Sequence, residues 1–223
     1  MQHIKHIIWD WNGTLLNDLH VSVAAINEVL VRRGIAPVDE KKYREIYQHP
    51  IENIYRALGL NFSEEEFIAA SELWHTKYQE LLRGAFPFKD VSKSLEVATK
   101  HGKSQSLLSA LPHSTLTSTV KKHKLKDHFL VVLGLSDIFG RSKVENGHLL
   151  LNQLSTTYRI GRDEVLLVGD STHDFEVATA LSIPCALICR GYESKERLTR
   201  HGNRIWDSVD SFVNELLELT PIE

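Results

Sequence analysis

The sequence predicts an α/β fold in three layers, a parallel sheet between helices, interrupted by one helical insertion. Three observations point there. From residue 90 onward, short apolar runs rich in Val, Leu and Ile alternate with helical stretches, the pattern of strands joined by crossover helices. Residues 39 to 83 carry helical spacing and no strand pattern. At 223 residues, the chain has room for one main core and a smaller inserted module.

The elements follow in order. His3 to Trp9 is a short β-branched run that reads as a buried strand, stopped by the turn-forming Asp10-Trp11-Asn12-Gly13-Thr14. A helix is predicted from Asp18 to Arg33, with Val21, Ala24, Ala25 and Leu30 on its apolar face and Gly34 as its stop. Ser63-Glu64-Glu65-Glu66 is a capping-box pattern, with Phe67, Trp74, Tyr78 and Leu81 behind it at helical spacing. Gly84 to Phe88 reads as the hinge out of the insertion. Strands are then expected at Gln105–Ser109, Phe129–Leu133, Val165–Asp170 and Cys185–Ile188, with a possible edge strand at Arg204–Trp206. Helices separate them, one running from Gly147 to Tyr158, and a further helix closes the chain.

Composition excludes several functions. Hydrophobic residues make up 42% and charged residues 25%, and the net charge is −3. That charge supplies no basic field for nucleic acid or an anionic membrane. No apolar run approaches the roughly 18 residues of a spanning helix. The opening MQHIKHIIWD lacks a signal-peptide core and a small-residue cleavage site, so a cytoplasmic location is expected. Cys185 and Cys189 would lie on one strand face about 13 Å apart (four steps of ~3.3 Å). This is beyond the ~7 Å reach of a disulfide, so two buried free thiols are expected.

Ligands bind beyond the carboxyl ends of strands in open parallel sheets. Here one strand ends at Asp10 and another at Asp170, within Gly169-Asp170-Ser171-Thr172-His173-Asp174, and a third ends in the hydroxyl of Ser109. One acid at a strand end is ordinarily a cap or turn residue; three such ends in one chain are not. Asp10-Trp11-Asn12-Gly13-Thr14, Ser109, Lys143 and Gly169-Asp170-Ser171 with Asp174 follow the order and spacing of four motifs. In them the chain resembles the haloacid dehalogenase superfamily, in its phosphoglycolate phosphatase-like branch. The resemblance implies a Rossmann-like core at residues 1–15 and 85–223 and an α-helical cap at 16–84. It implies a hydrolase that takes phosphoryl from a small phosphorylated metabolite onto Asp10, an aspartyl-phosphate intermediate that splits one hard step into two. It also implies Mg²⁺, which prefers oxygen ligands, held by Asp10, the backbone carbonyl of Asn12, Asp170 and Asp174. Ser109 and Lys143 would bind phosphoryl oxygens as donors aimed at developing charge, with Thr14 beside them, and Lys143 would pair with Asp10.

The chain departs from the pattern at Asn12, where the family's phosphatases carry the Asp that protonates the leaving oxygen and later activates water. A neutral amide does neither. Three readings follow. The substrate's leaving group is already a weak base, as in acyl phosphates, or another acid serves, with His20, His113 and His173 as candidates. Alternatively the chain resembles phosphonoacetaldehyde hydrolases, whose cap lysine forms a Schiff base; Lys41 and Lys42 lie in that region. Or it is a weakly active protein that binds a phosphorylated ligand or a partner. Asn12-Gly13 is also a deamidation-prone pair, which would restore an acid. Tyr43, Tyr47, Tyr55, Trp74 and Tyr78 either line the cap's inner face or fill its core, and Trp11 is expected to approach the site through its loop.

Overall fold

The computed structural model describes residues 1–136, 143–200 and 204–218. Its strands are β1 (His6–Trp9), β2 (Leu16–Asn17), β3 (Phe86–Pro87), β4 (Ser104–Pro112), β5 (Val132–Leu135), β6 (Val165–Gly169), β7 (Cys185–Ile188) and β8 (Ile205–Trp206). The helices are α1 (Leu19–Arg32), α2 (Glu40–Ile46), α3 (Glu52–Ala57), α4 (Glu64–Leu81), α5 (Val91–Lys100), α6 (His113–Lys122), α7 (Lys143–Tyr158), α8 (Thr172–Leu181), α9 (Lys195–Thr199) and α10 (Val209–Glu218).

Six strands form one sheet in the order β5-β4-β1-β6-β7-β8, and every neighbouring pair in it is parallel. Strand alternation explains how both faces are covered. Ile7 and Trp9 of β1, with Leu166 and Val168 of β6, join one apolar cluster that includes Leu95, Leu116 and Phe212 from the helices. Ile8, Val165 and Leu167 point the other way, into a second cluster with Leu150, Leu154, Val177 and Leu181. A sheet buried on both faces needs continuous apolar runs, and β6 reads Val-Leu-Leu-Val-Gly. After β1 the chain builds outward through β4 to β5, then returns to lay β6 on β1's other side. This reversal is the switch point at which ligands of such sheets bind.

Helices α1 to α4 lie between β2 and β3, whose antiparallel pairing (Leu16 with Pro87, Asn17 with Phe86) joins the points where the chain leaves and returns. They have a third apolar cluster of their own, including Ile26, Leu30, Tyr43 and Tyr55. The Ser63–Glu66 capping box at the start of α4 is formed in both directions. Among the described residues, no helix is long and apolar enough to cross a membrane.

The structure corrects several sequence expectations. The hinge at Gly84–Phe88 contains a strand, β3, too short to carry a periodicity of its own. The strand expected at Phe129–Leu133 begins three residues later, because Lys126–His128 form a 3₁₀ turn and Phe129 fills the core behind it. Helix α7 starts four residues before Gly147, at Lys143. Cys185 and Cys189 are free but only half-buried, since β7 ends at Ile188 and the Cys189 thiol reaches out to Asp207 Oδ1 at 3.0 Å. Trp11 is fully buried within the first cluster.

Candidate active site

Strands β1 and β6 are neighbours and parallel, so their carboxyl ends coincide, and Asp10 and Asp170 follow directly. Asp174, in the first turn of α8, turns back toward them. Oxygen atoms of Asp10, Asp170 and Asp174 lie within 4.8 Å of one another, and all three residues are buried. Lys143, at the start of α7, places its ammonium between two of them, donating to Asp10 Oδ1 and Asp174 Oδ1 at 2.7 Å each.

Each carboxylate is oriented by further donors. Thr14 Oγ1 donates to Asp170 Oδ1 at 2.8 Å, and the backbone N–H of Tyr192 donates to Asp170 Oδ2 at 2.6 Å. Asp174 Oδ2 accepts from Ser171 N at 3.1 Å, Ser171 Oγ at 2.7 Å and Asp170 N at 3.2 Å. The glycines make this closeness possible. Gly13 has φ +73°, the left-handed region that disfavours side chains, and a Cβ there would strike the Asp170 carboxylate. A Cβ at Gly169 would strike Asp174.

Three acids around one lysine cannot all hold charge cheaply. Burial is the largest influence on Asp10 and pushes its carboxyl up to about 7, against the pull of Lys143. Burial also raises Asp170 well above the carboxylate range, with Asp174 and Asp10 adding repulsion. For Asp174 burial again acts upward, but Lys143, His173 and Ser171 together draw it down to about 2. Lys143 is raised despite burial, because Asp10 and Asp174 face it. A divalent cation would relieve this crowding, and the donor set is all oxygen, which suits a hard ion such as Mg²⁺.

Ser109 lies in a stretch of β4 whose register with β5 shifts between Leu108 and Pro112, an irregularity of the kind that re-aims side chains near active sites. Its Oγ accepts from Leu111 N at 3.1 Å and donates to Asn12 Oδ1 at 3.2 Å. The amide nitrogen of Asn12 points the other way and donates to Asp18 Oδ2 and to Tyr78 OH, both at 2.7 Å. Both hydrogens of that amide are therefore engaged.

Asp18 is the residue that sequence reasoning passes over. An acid at a helix start reads as a cap, yet this side chain caps nothing in α1. It is fully buried and accepts from Asn12, from the hydroxyls of Tyr78 at 2.6 Å and Tyr192 at 2.8 Å, and from Gly13 N at 2.9 Å. Burial raises its carboxyl, with Tyr78, Asn12, Tyr192 and Gly13 pulling it back. Tyr192 is likewise unmarked in sequence, since nothing local distinguishes Gly191-Tyr192 from an ordinary loop. Helix α2 is tied to that loop: Arg44 Nε donates to Gly191 O at 2.9 Å, and Arg197 Nη1 donates to Arg44 O at 3.2 Å and Glu45 O at 3.1 Å.

Beside Asn12 a cavity of about 120 Å³ opens among the helices of the insertion, and Tyr43, Tyr47, Tyr55, Trp74 and Tyr78 all border it. Of the alternative acids, His20 and His113 are exposed, and His173 stacks on His49 with ring centres 3.9 Å apart. Lys41 and Lys42 are exposed on α2, and neither borders the cavity.

Known proteins resemble this chain in sequence and in fold. A family profile described as haloacid dehalogenase-like hydrolase matches residues 7–188. A phosphoglycolate phosphatase of Vibrio vulnificus is 27% identical, with 97% of this chain and 94% of that protein aligned. A haloacid dehalogenase-like hydrolase structure from Streptococcus pneumoniae superposes with a TM-score of 0.80 at 18% identity, covering 96% of this chain and 99% of that one. The structure of CbbY from Rhodobacter sphaeroides in complex with phosphate gives 0.68 at 16% identity, over 94% of this chain and 96% of that one.

Proposed function

The chain belongs to the haloacid dehalogenase-like hydrolases, and from that premise we propose that it is a phosphatase of small phosphorylated metabolites, akin to the phosphoglycolate phosphatases it resembles. Residues 1–15 and 85–223 act as the catalytic core and residues 16–84 as a cap that closes over it and expels water. The observation that carries this reading is the convergence of Asp10, Asp170 and Asp174 with Lys143 at the sheet's switch point.

Asp10 is the nucleophile. Its carboxylate attacks phosphorus, the ester oxygen departs, and water then cleaves the aspartyl-phosphate to phosphate and free Asp10. Asp10, Asp170 and the Asn12 carbonyl would hold Mg²⁺, with Asp174 as a fourth ligand or a support behind them. The ion supplies charge neutralisation between the anionic nucleophile and the anionic phosphoryl group. Lys143 adds a fixed positive charge against Asp10, and the Ser109 hydroxyl, which donates to Asn12 Oδ1, would turn from it to meet a phosphoryl oxygen. Thr14 spends its one proton on Asp170, so its part is to aim that carboxylate.

The test is hydrolysis of an aryl phosphate with Mg²⁺ and with a chelator. Activity that needs the ion and disappears in Asp10→Asn supports the reading, and activity retained in that variant would refute it. Absence of turnover, with phosphate still bound, would instead mark a phospho-ligand-binding protein.

A further inference from the structure

Two independent observations beyond the nucleophile narrow the choice of substrate. The first is the cavity. It abuts Asn12, Ala110 and Leu111, next to Ser109, and extends among side chains such as Tyr47, Ile51, Phe67 and Trp74. No Lys, Arg, Asp or Glu is among its described lining residues. Two histidines also border it, His49 and His75, and burial lowers the His49 ring to about 3. Trp74 stacks on Tyr78 at 4.8 Å, and Tyr47 meets Tyr192 at 4.9 Å, so ring faces and edges form much of the wall. Apolar cavities of about 150 Å³ take up benzene, and this one is close to that size at about 120 Å³. An anionic group would enter without a Lys or Arg partner among the described lining residues, and burying a charge unpaired is costly.

The second observation is the supply of protons. Neither Asn12 nor Ser109 is free to protonate a leaving oxygen, because both amide hydrogens go to Asp18 and Tyr78 and the Ser109 hydroxyl goes to Asn12 Oδ1. The leaving group must depart as its anion. A phenol, with pKa about 10 like a tyrosine side chain, departs far more readily than an alkoxide, whose basicity is closer to that of hydroxide (water, about 15.7).

We propose that the site hydrolyses monophosphate esters of uncharged aromatic alcohols, aryl phosphates, and discriminates against esters whose leaving group carries a carboxylate. The proposal rests on the phosphatase reading above and names its substrate class. In the first step the Asp10 carboxylate forms a bond to phosphorus while the P–O(aryl) bond breaks. The aryloxide keeps the bonding pair and takes its proton from solvent water. In the second step water adds to phosphorus, the acyl phosphate bond breaks, and inorganic phosphate and the Asp10 carboxylate are released. The net reaction is ester plus water to phenol plus phosphate.

The experiment compares kcat/KM for phenyl phosphate, benzyl phosphate and 2-phosphoglycolate, using the full chain with Mg²⁺. Phenyl phosphate is expected to exceed benzyl phosphate by on the order of 10²-fold, the contribution of a missing general acid, and to exceed 2-phosphoglycolate by at least as much. A preference for 2-phosphoglycolate, or equal rates for phenyl and benzyl esters, overturns the proposal and leaves the phosphatase reading intact. Failure to turn over any of the three overturns both. Calorimetric titration with phenylphosphonate and phosphonoacetate repeats the comparison without hydrolysis. The aromatic compound is expected to bind about tenfold more tightly, given the cost of an unpaired buried carboxylate, and equal or reversed affinities count against the proposal.

Discussion

Asn12 and Asp18 are best understood as a pair. The amide nitrogen of Asn12 lies 2.7 Å from a buried carboxylate oxygen of Asp18, so an aspartate at position 12 would set two acids against each other. Asn12→Asp alone is therefore expected to lose about 3 kcal/mol of stability at neutral pH, the scale on which an uncompensated buried charge is paid. Asp18→Asn in the same chain should recover more than half of that, as read from a double-mutant cycle of urea denaturation. Additive losses would show that the two side chains are not coupled. The strand-end acids can be read from sequence because a polar residue ending an apolar run is visible locally. Asp18 cannot, because its partners Tyr78 and Tyr192 lie 60 and 174 residues away in sequence.

Single elements add their own lessons. Apolar runs predict β1, β6 and β7 well, since a strand covered on both faces is apolar at nearly every position. The entry to β5 is misplaced by sequence because Phe129 and Val131 are buried before regular pairing with β4 begins. The β2–β3 pair has two residues per strand, which is no basis for periodicity. Strand β1 also carries a buried titratable group. His6 is fully covered, with Nδ1 on Ser104 Oγ at 2.7 Å, and burial lowers its ring to about 3. Between pH 6.5 and 3 the unfolded chain binds the proton more readily than the folded one. The stability that His6 contributes is full above pH 6.5 and is lost as the pH falls through that window, at up to about 1.4 kcal/mol per unit. Between pH 7 and 5.5 this share comes to about 1 kcal/mol, and urea denaturation of His6→Asn should show a decline smaller by that amount.

For the whole molecule, the α/β class and the helical insertion are legible because alternating and continuous apolar patterns are local properties. The strand order, the closeness of β1 to β6, and the cavity above Asn12 are properties of the assembled chain and leave no local mark. The assembled site is also where folding and ion binding would be linked. Asp10 and Asp170 are raised by burial, with Asp174 adding repulsion to both, so a bound cation would favour the folded state over the unfolded one. Mg²⁺ at 100 times its Kd is expected to add about 2.7 kcal/mol, seen as a rise in Tm that disappears on adding a chelator and in Asp170→Asn. An equal rise in that variant would place the ion elsewhere.

The loop carrying Gly191 and Tyr192 has two clients. Its Gly191 carbonyl receives Arg44 from α2, and the next residue's N–H holds Asp170. A swing of the insertion away from the sheet would tug on the same few atoms that steady the acid, so admission of a substrate and grip on an ion would not be adjusted separately. Thermodynamic reciprocity then requires each guest to tighten the other by one common factor. Titrating Mg²⁺ with and without phenylphosphonate measures that factor, and Arg44→Ala, which cuts the shared tether, should bring it toward unity.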